Sequence, residues 1–120
     1  VAVSGNSPQP AQNPNYGDEP KVSSGSPTYP LDVIATLTPD RKYLNIVVVN
    51  ATEQTQKFDL SVTGQKLGGA GSLLKLTGSS LDSANHAGEP AQVKVEETPA
   101  SSGATTVAPI SVNIYRFPIQ

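Results

Sequence analysis

The sequence predicts an all-β fold, an antiparallel β-sandwich with jelly-roll or Greek-key connections, preceded by an irregular, proline-rich N-terminal arm. Three observations carry this. Apolar residues alternate with polar ones from Leu31 onward, the period of a strand with one dry face. Ten Gly and eleven Pro punctuate 120 residues, which favours many short strands joined by turns. No segment carries an apolar stripe of period 3.6, and Leu81 to His86 has room for one helical turn at most.

Six of the eleven prolines lie in the first thirty residues, at Pro8, Pro10, Pro14, Pro20, Pro27 and Pro30. Proline fixes φ and removes a ladder donor, so residues 1–30 are expected to be an irregular or extended connector. Its few apolar side chains return less on burial than thirty ordered backbones cost. The arm is then either mobile or laid on a surface outside this chain.

The sandwich is expected over residues 31–120. Leu31, Val33, Ala35 and Leu37 share one side of a first strand. Thr38-Pro39-Asp40-Arg41-Lys42 is a turn with Pro where φ near −65° is needed. The return arm, Tyr43 to Asn50, contains the unbroken run Ile46-Val47-Val48-Val49, the mark of a central strand covered on both faces. After a polar turn, Phe58, Leu60 and Val62 alternate with Lys57, Asp59, Ser61 and Thr63. A glycine-rich connection, Gly64–Gly71, leads to three further strands at Leu73–Leu76, Val93–Glu96 and Ile110–Phe117. Six strands leave a sandwich with an unsatisfied edge, so a partner strand is expected to be missing.

Composition narrows function mainly by exclusion. Eight Lys/Arg against ten Asp/Glu give a formal charge of −2, which supplies no attraction to nucleic acid or to an anionic membrane. Zero Cys removes disulfides, thiolate metal sites and thiol nucleophiles. No apolar run reaches the roughly 20 residues of a membrane-spanning helix. The chain contains no Met and opens at Val1, so a processed remnant or a piece of something longer is expected. Low Lys with abundant Ser, Thr, Asn and Gly leans toward a secreted or periplasmic location, with a cytoplasmic one as the alternative.

No residue pattern assembles a catalytic, cofactor or metal site. Gly64-Gln65-Lys66-Leu67-Gly68-Gly69-Ala70-Gly71 suggests a phosphate loop, but such a loop must open a helix, and Ser72-Leu73-Leu74-Lys75-Leu76 has strand character. A flexible connection is the expected reading. His86, the single histidine, is assigned to loop hydrogen bonding; one imidazole makes no His-rich metal site. Asp18-Glu19 falls in the arm and Glu96-Glu97 point to opposite faces of a strand, so neither forms a glycosidase pair. Asp32 and Asp59 are expected on solvent-facing sides. Asn50-Ala51-Thr52 fits the N-glycosylation pattern, yet both residue types suit the turn in which they sit.

Tyr29-Pro30-Leu31-Asp32-Val33-Ile34-Ala35, Leu44-Asn45-Ile46-Val47-Val48-Val49-Asn50, and Leu76-Thr77-Gly78 with Leu81-Asp82, Asn85, Glu89-Pro90 and Val93 together resemble one family. The likeness is to the C-terminal β-domain of the α-L-arabinofuranosidases of glycoside hydrolase family 51. Ala108-Pro109-Ile110-Ser111-Val112-Asn113-Ile114-Tyr115 is similar to the last strand of that domain. Asn85-His86-Ala87-Gly88 departs from the Asn-Thr-containing form of the loop. The resemblance implies a non-catalytic sandwich packed beside a (β/α)8 barrel. That barrel holds the catalytic glutamates, so no catalytic residue, cofactor site or metal site is carried over to this chain. It also implies that strands from residues preceding the barrel complete the sandwich.

The expected partners are therefore that barrel and, through it, an arabinose-containing polysaccharide or oligosaccharide; a homo-oligomer is left open. The alternative is an autonomous secreted carbohydrate-binding or adhesive β-sandwich. Such a module would use aromatic platforms drawn from Tyr16, Tyr29, Tyr43, Tyr115, Phe58 and Phe117, of which Phe58 reads as core.

Overall fold

The computed structural model describes residues 1–5 and 28–120. Among the described residues seven strands form where six are expected: β1 (Leu31–Leu37), β2 (Tyr43–Asn50), β3 (Gln56–Asp59), β4 (Ala70–Thr77), β5 (Lys94–Ser101), β6 (Ala104–Val107) and β7 (Ser111–Pro118). Five make an antiparallel sheet in the order β1-β2-β7-β4-β5, and β3 with β6 makes a two-stranded sheet. Two facing sheets confirm the sandwich. Most of the proline-rich arm lies outside the described residues, which resume with a turn at Thr28–Pro30.

The additional strand, β6, is Ala-Thr-Thr-Val and too short and polar to announce itself by alternation. Gly103, at φ +111°, turns the chain between β5 and β6. Glycine adopts such a positive φ without steric cost, which suits a two-residue passage from one sheet to the other. The expected strand over Phe58–Val62 is shifted back to Gln56–Asp59, because its partner β6 offers only four residues for pairing. Leu60 and Val62 lie outside the ladder but still pack against the core.

The β1–β2 hairpin forms as expected and is fixed by its own turn. Arg41 N–H donates to the Thr38 carbonyl at 2.8 Å, and Arg41 takes a left-handed φ of 56°. The Thr38 hydroxyl donates to Asp40 Oδ1 at 2.6 Å, and Lys42 N–H donates to the same oxygen at 3.1 Å. The Thr38 hydrogen bond first, then that from Lys42, holds the Asp40 carboxyl below the ordinary aspartate range.

Gly64–Gly71 is not the flexible connection its composition suggests. Gly68 N–H donates to the Pro118 carbonyl at 2.8 Å, Gln120 N–H donates to the Lys66 carbonyl at 2.9 Å, and Leu67 bridges Ile119. The closing residues of the chain thus extend the ladder and take up these backbone groups. At Gly71 an added Cβ would stand 2.4 Å from the Arg116 carbonyl and 2.5 Å from the Phe117 ring. The glycine therefore lets β4 close on β7 while Phe117 is buried.

The core lies between the sheets, with Ile46, Val48, Val107 and Phe117 at 1% exposure or less. Tyr115 stacks between Phe58 at 5.9 Å and Phe117 at 6.3 Å. Its phenol is buried without a hydrogen bond of good geometry. Burial pushes its pKa up, opposed by the nearby Thr105 side chain.

Beside this core runs a buried polar staple. Asn50 is fully buried; its amide donates to the carbonyls of Gln54 at 2.8 Å and Ala108 at 2.9 Å, and its Oδ1 accepts from Thr52 N–H and hydroxyl at 3.0 and 2.7 Å. Ser111 donates to the Ala108 carbonyl at 2.7 Å, and Asn113 donates to the Ser111 hydroxyl at 2.8 Å and the Val48 carbonyl at 3.3 Å. These bonds tie the end of β2 to the start of β7 and to the turn leading to β3. The glycosylation reading of Asn50 is displaced, because every polar atom of its side chain is engaged internally.

Three outcomes follow from this geometry. Gly71→Ala should lower unfolding stability by about 1–3 kcal/mol, the usual cost of overpacking, read as a drop in the urea midpoint. Asn50→Ala should cost about 1–3 kcal/mol for each buried group it orphans, and intact mass after expression in a glycosylating host should show no glycan on Asn50. Carboxyl NMR should place Asp40 below an ordinary aspartate, and Thr38→Val should move it upward. Because the folded pKa is lowered, the associated stability is present above the unfolded pKa and is lost as pH falls through the folded value.

Candidate interaction surface

Chemistry-bearing side chains do not converge in the described residues. His86 is exposed in the loop between β4 and β5, and its carbonyl accepts from Glu89 N–H at 3.2 Å. Its loop hydrogen bond is thus a main-chain one. No helical turn forms at Leu81–His86; a turn at Leu81–Asp82 and irregular backbone after it take its place. The loop is instead organised by Asn85, which accepts from Gln92 and Val93 N–H at 2.9 and 2.8 Å and donates to the Val93 carbonyl at 2.8 Å. One amide thus imitates a strand partner, a physical reason for Asn85 and Val93 at that spacing.

Carboxylates are scattered as well. Glu96 pairs with Lys75 at 3.4 Å, while Glu97 lies on the opposite side of β5. Asp32 and Asp59 are exposed, and Asp18-Glu19 lies outside the described residues. Ser72–Leu76 falls within β4, so the preceding glycines open no helix. Of the aromatic rings, Phe58, Tyr115 and Phe117 are packed together. The Arg116 guanidinium caps the Tyr43 ring at 4.1 Å from its centre. Tyr16 lies outside the described residues.

What the sheet does assemble is an apolar surface on its outer face. The register places Ile34, Val47, Ile114 and Leu74 in one row across β1, β2, β7 and β4, with Glu97 of β5 at its end. The next row is Asp32, Val49, Val112, Leu76 and Val95. Ile34 is 64% exposed, Val95 65%, and Leu74, Leu76 and Ile114 between 37% and 38%. The run Ile46–Val49 does mark an interior strand, since β2 lies between β1 and β7. Its second face, however, carries Val47 and Val49 only half-buried, with no layer over them among the described residues. The signal for this face was the apolar character of both sides of β2 and of the Leu73-Leu74 pair, which alternation arguments assign to a single core.

A recess of about 250 Å³ adjoins the rows, under the loop after β4, walled by Val49, Leu76, Leu81, Val93, Ile110 and Val112. Ile110 holds a φ of 46° there, a conformation that branched residues rarely adopt. On the inner side a wider groove of about 650 Å³ separates Leu31, Val33 and Ala35 from Phe58, Leu60 and Val62. Val1–Gly5 line its rim, with Val3 packed on the core.

No family model and no curated protein matches the sequence. Solved structures do match. A family 51 α-L-arabinofuranosidase from Thermotoga petrophila RKU-1 is 26% identical with a TM-score of 0.64, over 72% of this chain and 18% of that one. The Thermotoga maritima α-L-arabinofuranosidase, solved with arabinose, is 23% identical with a TM-score of 0.66, over 80% of this chain and 20% of that one. A further arabinofuranosidase is 25% identical with a TM-score of 0.61, over 80% of this chain and 21% of that one. The chain spans about a fifth of the length of the solved structures it matches. In fold, it is similar to a β-domain of the α-L-arabinofuranosidases of glycoside hydrolase family 51.

Proposed function

We propose that this chain is the non-catalytic C-terminal β-sandwich portion of a glycoside hydrolase that resembles α-L-arabinofuranosidase. The reaction of such an enzyme is hydrolysis of terminal non-reducing α-L-arabinofuranosides in an arabinose-containing polysaccharide or oligosaccharide. The sandwich would pack on and stabilise a (β/α)8 catalytic barrel not contained in this chain, and contribute shape to its cleft. The observation that carries this reading is the fold match, which takes in 72–80% of this chain but only 18–21% of three arabinofuranosidases.

The incomplete cover of the large sheet supports it. Among the described residues a two-stranded sheet faces a five-stranded one, and a groove of about 650 Å³ lies beside β3. The family resemblance supplies strands from residues preceding the barrel. The autonomous sugar-binding reading is weaker here. Three aromatic side chains are spent in the core and a fourth is capped by Arg116, so they form no flat platform for a sugar ring. A secreted or periplasmic location fits an enzyme acting on polysaccharide and is proposed with the same reading.

The test is isolation of the native species from its source with an antibody against this chain. Intact mass and hydrolysis of an aryl α-L-arabinofuranoside are then measured on it. A barrel-containing species with arabinofuranosidase activity is expected. An inactive species consisting of the 12.4 kDa chain alone would overturn the assignment.

A further inference from the structure

We propose that a polar strip at the hairpin end of the outer sheet face, formed by Thr36, Asn45, Arg116 and Ser72, binds a carboxylate-bearing stretch of polysaccharide; the choice of a polysaccharide rests on the function proposed above. The register sets these residues side by side on β1, β2, β7 and β4, with Pro99 of β5 closing the row. Neighbouring strands stand about 4.8 Å apart, so the four side chains form a line about 14 Å long. A line of that length takes a short run of sugar units lying across the strands.

The strip is out of keeping with the strands that carry it. On the same face the two rows beyond it have Val, Ile and Leu at their centres, β-branched and aliphatic residues that suit a pleated surface. Asparagine is depleted in strands, yet Asn45 occupies an interior one. Its amide is also left over. Asn50, Asn85 and Asn113 spend theirs on carbonyls of this chain, whereas Asn45 is half-buried and makes no side-chain hydrogen bond among the described residues. Thr36, Ser72 and Arg116 likewise keep their side-chain donors free there. Two hydroxyls, an amide and a guanidinium in one row offer donors and acceptors suited to the hydroxyls of a sugar chain.

Charge selects the kind of sugar. The net charge of −2 conceals a segregation, because Arg41, Lys42, Lys66 and Arg116 lie at the hairpin end of the sandwich and Asp32, Glu53, Asp82 and Glu89 toward the other. Lys42 and Lys66 are brought beside the end of β7 through their carbonyls, which accept from Ile119 and Gln120 N–H at 2.8 and 2.9 Å. None of these four cations has a carboxylate within ion-pair distance among the described residues, where the pair that forms is Lys75 with Glu96. Asp40 lies within the field of Arg116 but is engaged by the Thr38 hydroxyl and Lys42 N–H; Asp59 belongs to the other sheet, and Glu97 stands one row away. Arg116 is the group that meets the ligand's carboxylate. The Tyr43 ring supports its guanidinium from one side at 4.1 Å, and its fork of N–H donors matches the two oxygens of a carboxylate. A nucleic acid would need exposed rings for its bases, and the Tyr43 ring is already covered.

The test is retention of the native species isolated by the antibody on immobilised polygalacturonate, against the same polymer after full methyl esterification, which removes the charge and keeps the sugar. Retention on the free acid should be at least about tenfold tighter than on the ester and should weaken as salt is raised. In the same polypeptide expressed with single substitutions, Arg116→Gln should weaken retention about tenfold and Asn45→Ala by a smaller factor, while Lys94→Gln, at the other end of the sheet, should leave it unchanged. Urea midpoints of the variants separate lost binding from lost fold. Equal retention on acid and ester, or none on either, by a species that hydrolyses the aryl α-L-arabinofuranoside would overturn the strip and leave the proposed function standing. Selective retention by a species without that activity would support the strip and overturn the function. An equal loss in Lys94→Gln, or tighter binding to single-stranded DNA or to anionic vesicles than to polygalacturonate, would overturn the assignment to a polysaccharide.

Discussion

The structure of the described residues follows from a mismatch in the number of strands on the two sides of the sandwich. A sheet of five strands exposes two faces, and a sheet of two strands can dry only part of one of them. Burial is therefore concentrated where β3 and β6 stand over β1, β2 and β7, at Ile46, Val48, Tyr115 and Phe117. Because apolar burial drives folding roughly in proportion to area, that narrow contact must be packed without gaps. Gly71 is bare because the Phe117 ring and the Arg116 carbonyl occupy the space of a Cβ. The Asn50, Ser111 and Asn113 network seals the end of the same contact by satisfying carbonyls that a small second sheet cannot pair.

The strands beyond the reach of the small sheet obey a different rule. β5 is exposed along nearly its whole length and carries Lys94, Glu96, Glu97 and Pro99. Charges and proline on an edge discourage pairing with stray strands, so that margin is blunted. Its Val95 nevertheless faces outward beside Leu76, continuing the apolar row. The edge is thus protected against pairing while the face beside it stays apolar.

Much of the fold was legible in the sequence because β1 and β7 are long and carry an alternating apolar side, β2 is an unbroken apolar run, and the three are neighbours in one sheet. What escaped was local. Ala104–Val107 has two threonines, one valine and no run of alternation, and it becomes a strand only because Gln56–Asp59 lies opposite to receive it. Phe58, Leu60 and Val62 alternate perfectly, yet alternation reports the dry side of a chain and not the presence of a ladder partner. The glycine-rich segment read as a flexible link because composition does not show that Pro118–Gln120 lie beside it and exchange backbone hydrogen bonds with it.

The interaction surface was harder to read for a more general reason. Sequence periodicity identifies which residues share a face; it does not say how many layers there are to cover that face. Ile46–Val49 signalled a strand covered on both faces, whereas only one face is covered by the described residues. The same ambiguity affects Leu73-Leu74, where one leucine packs toward the core and its neighbour stands in the outer row. Apolar residues on both parities of a strand are thus a statement about layers: either the chain supplies a third, or another surface must. With Lys75 and Glu96 turned toward the sandwich and Leu74 and Leu76 turned away, β4 carries its apolar side on the face that the described residues leave uncovered.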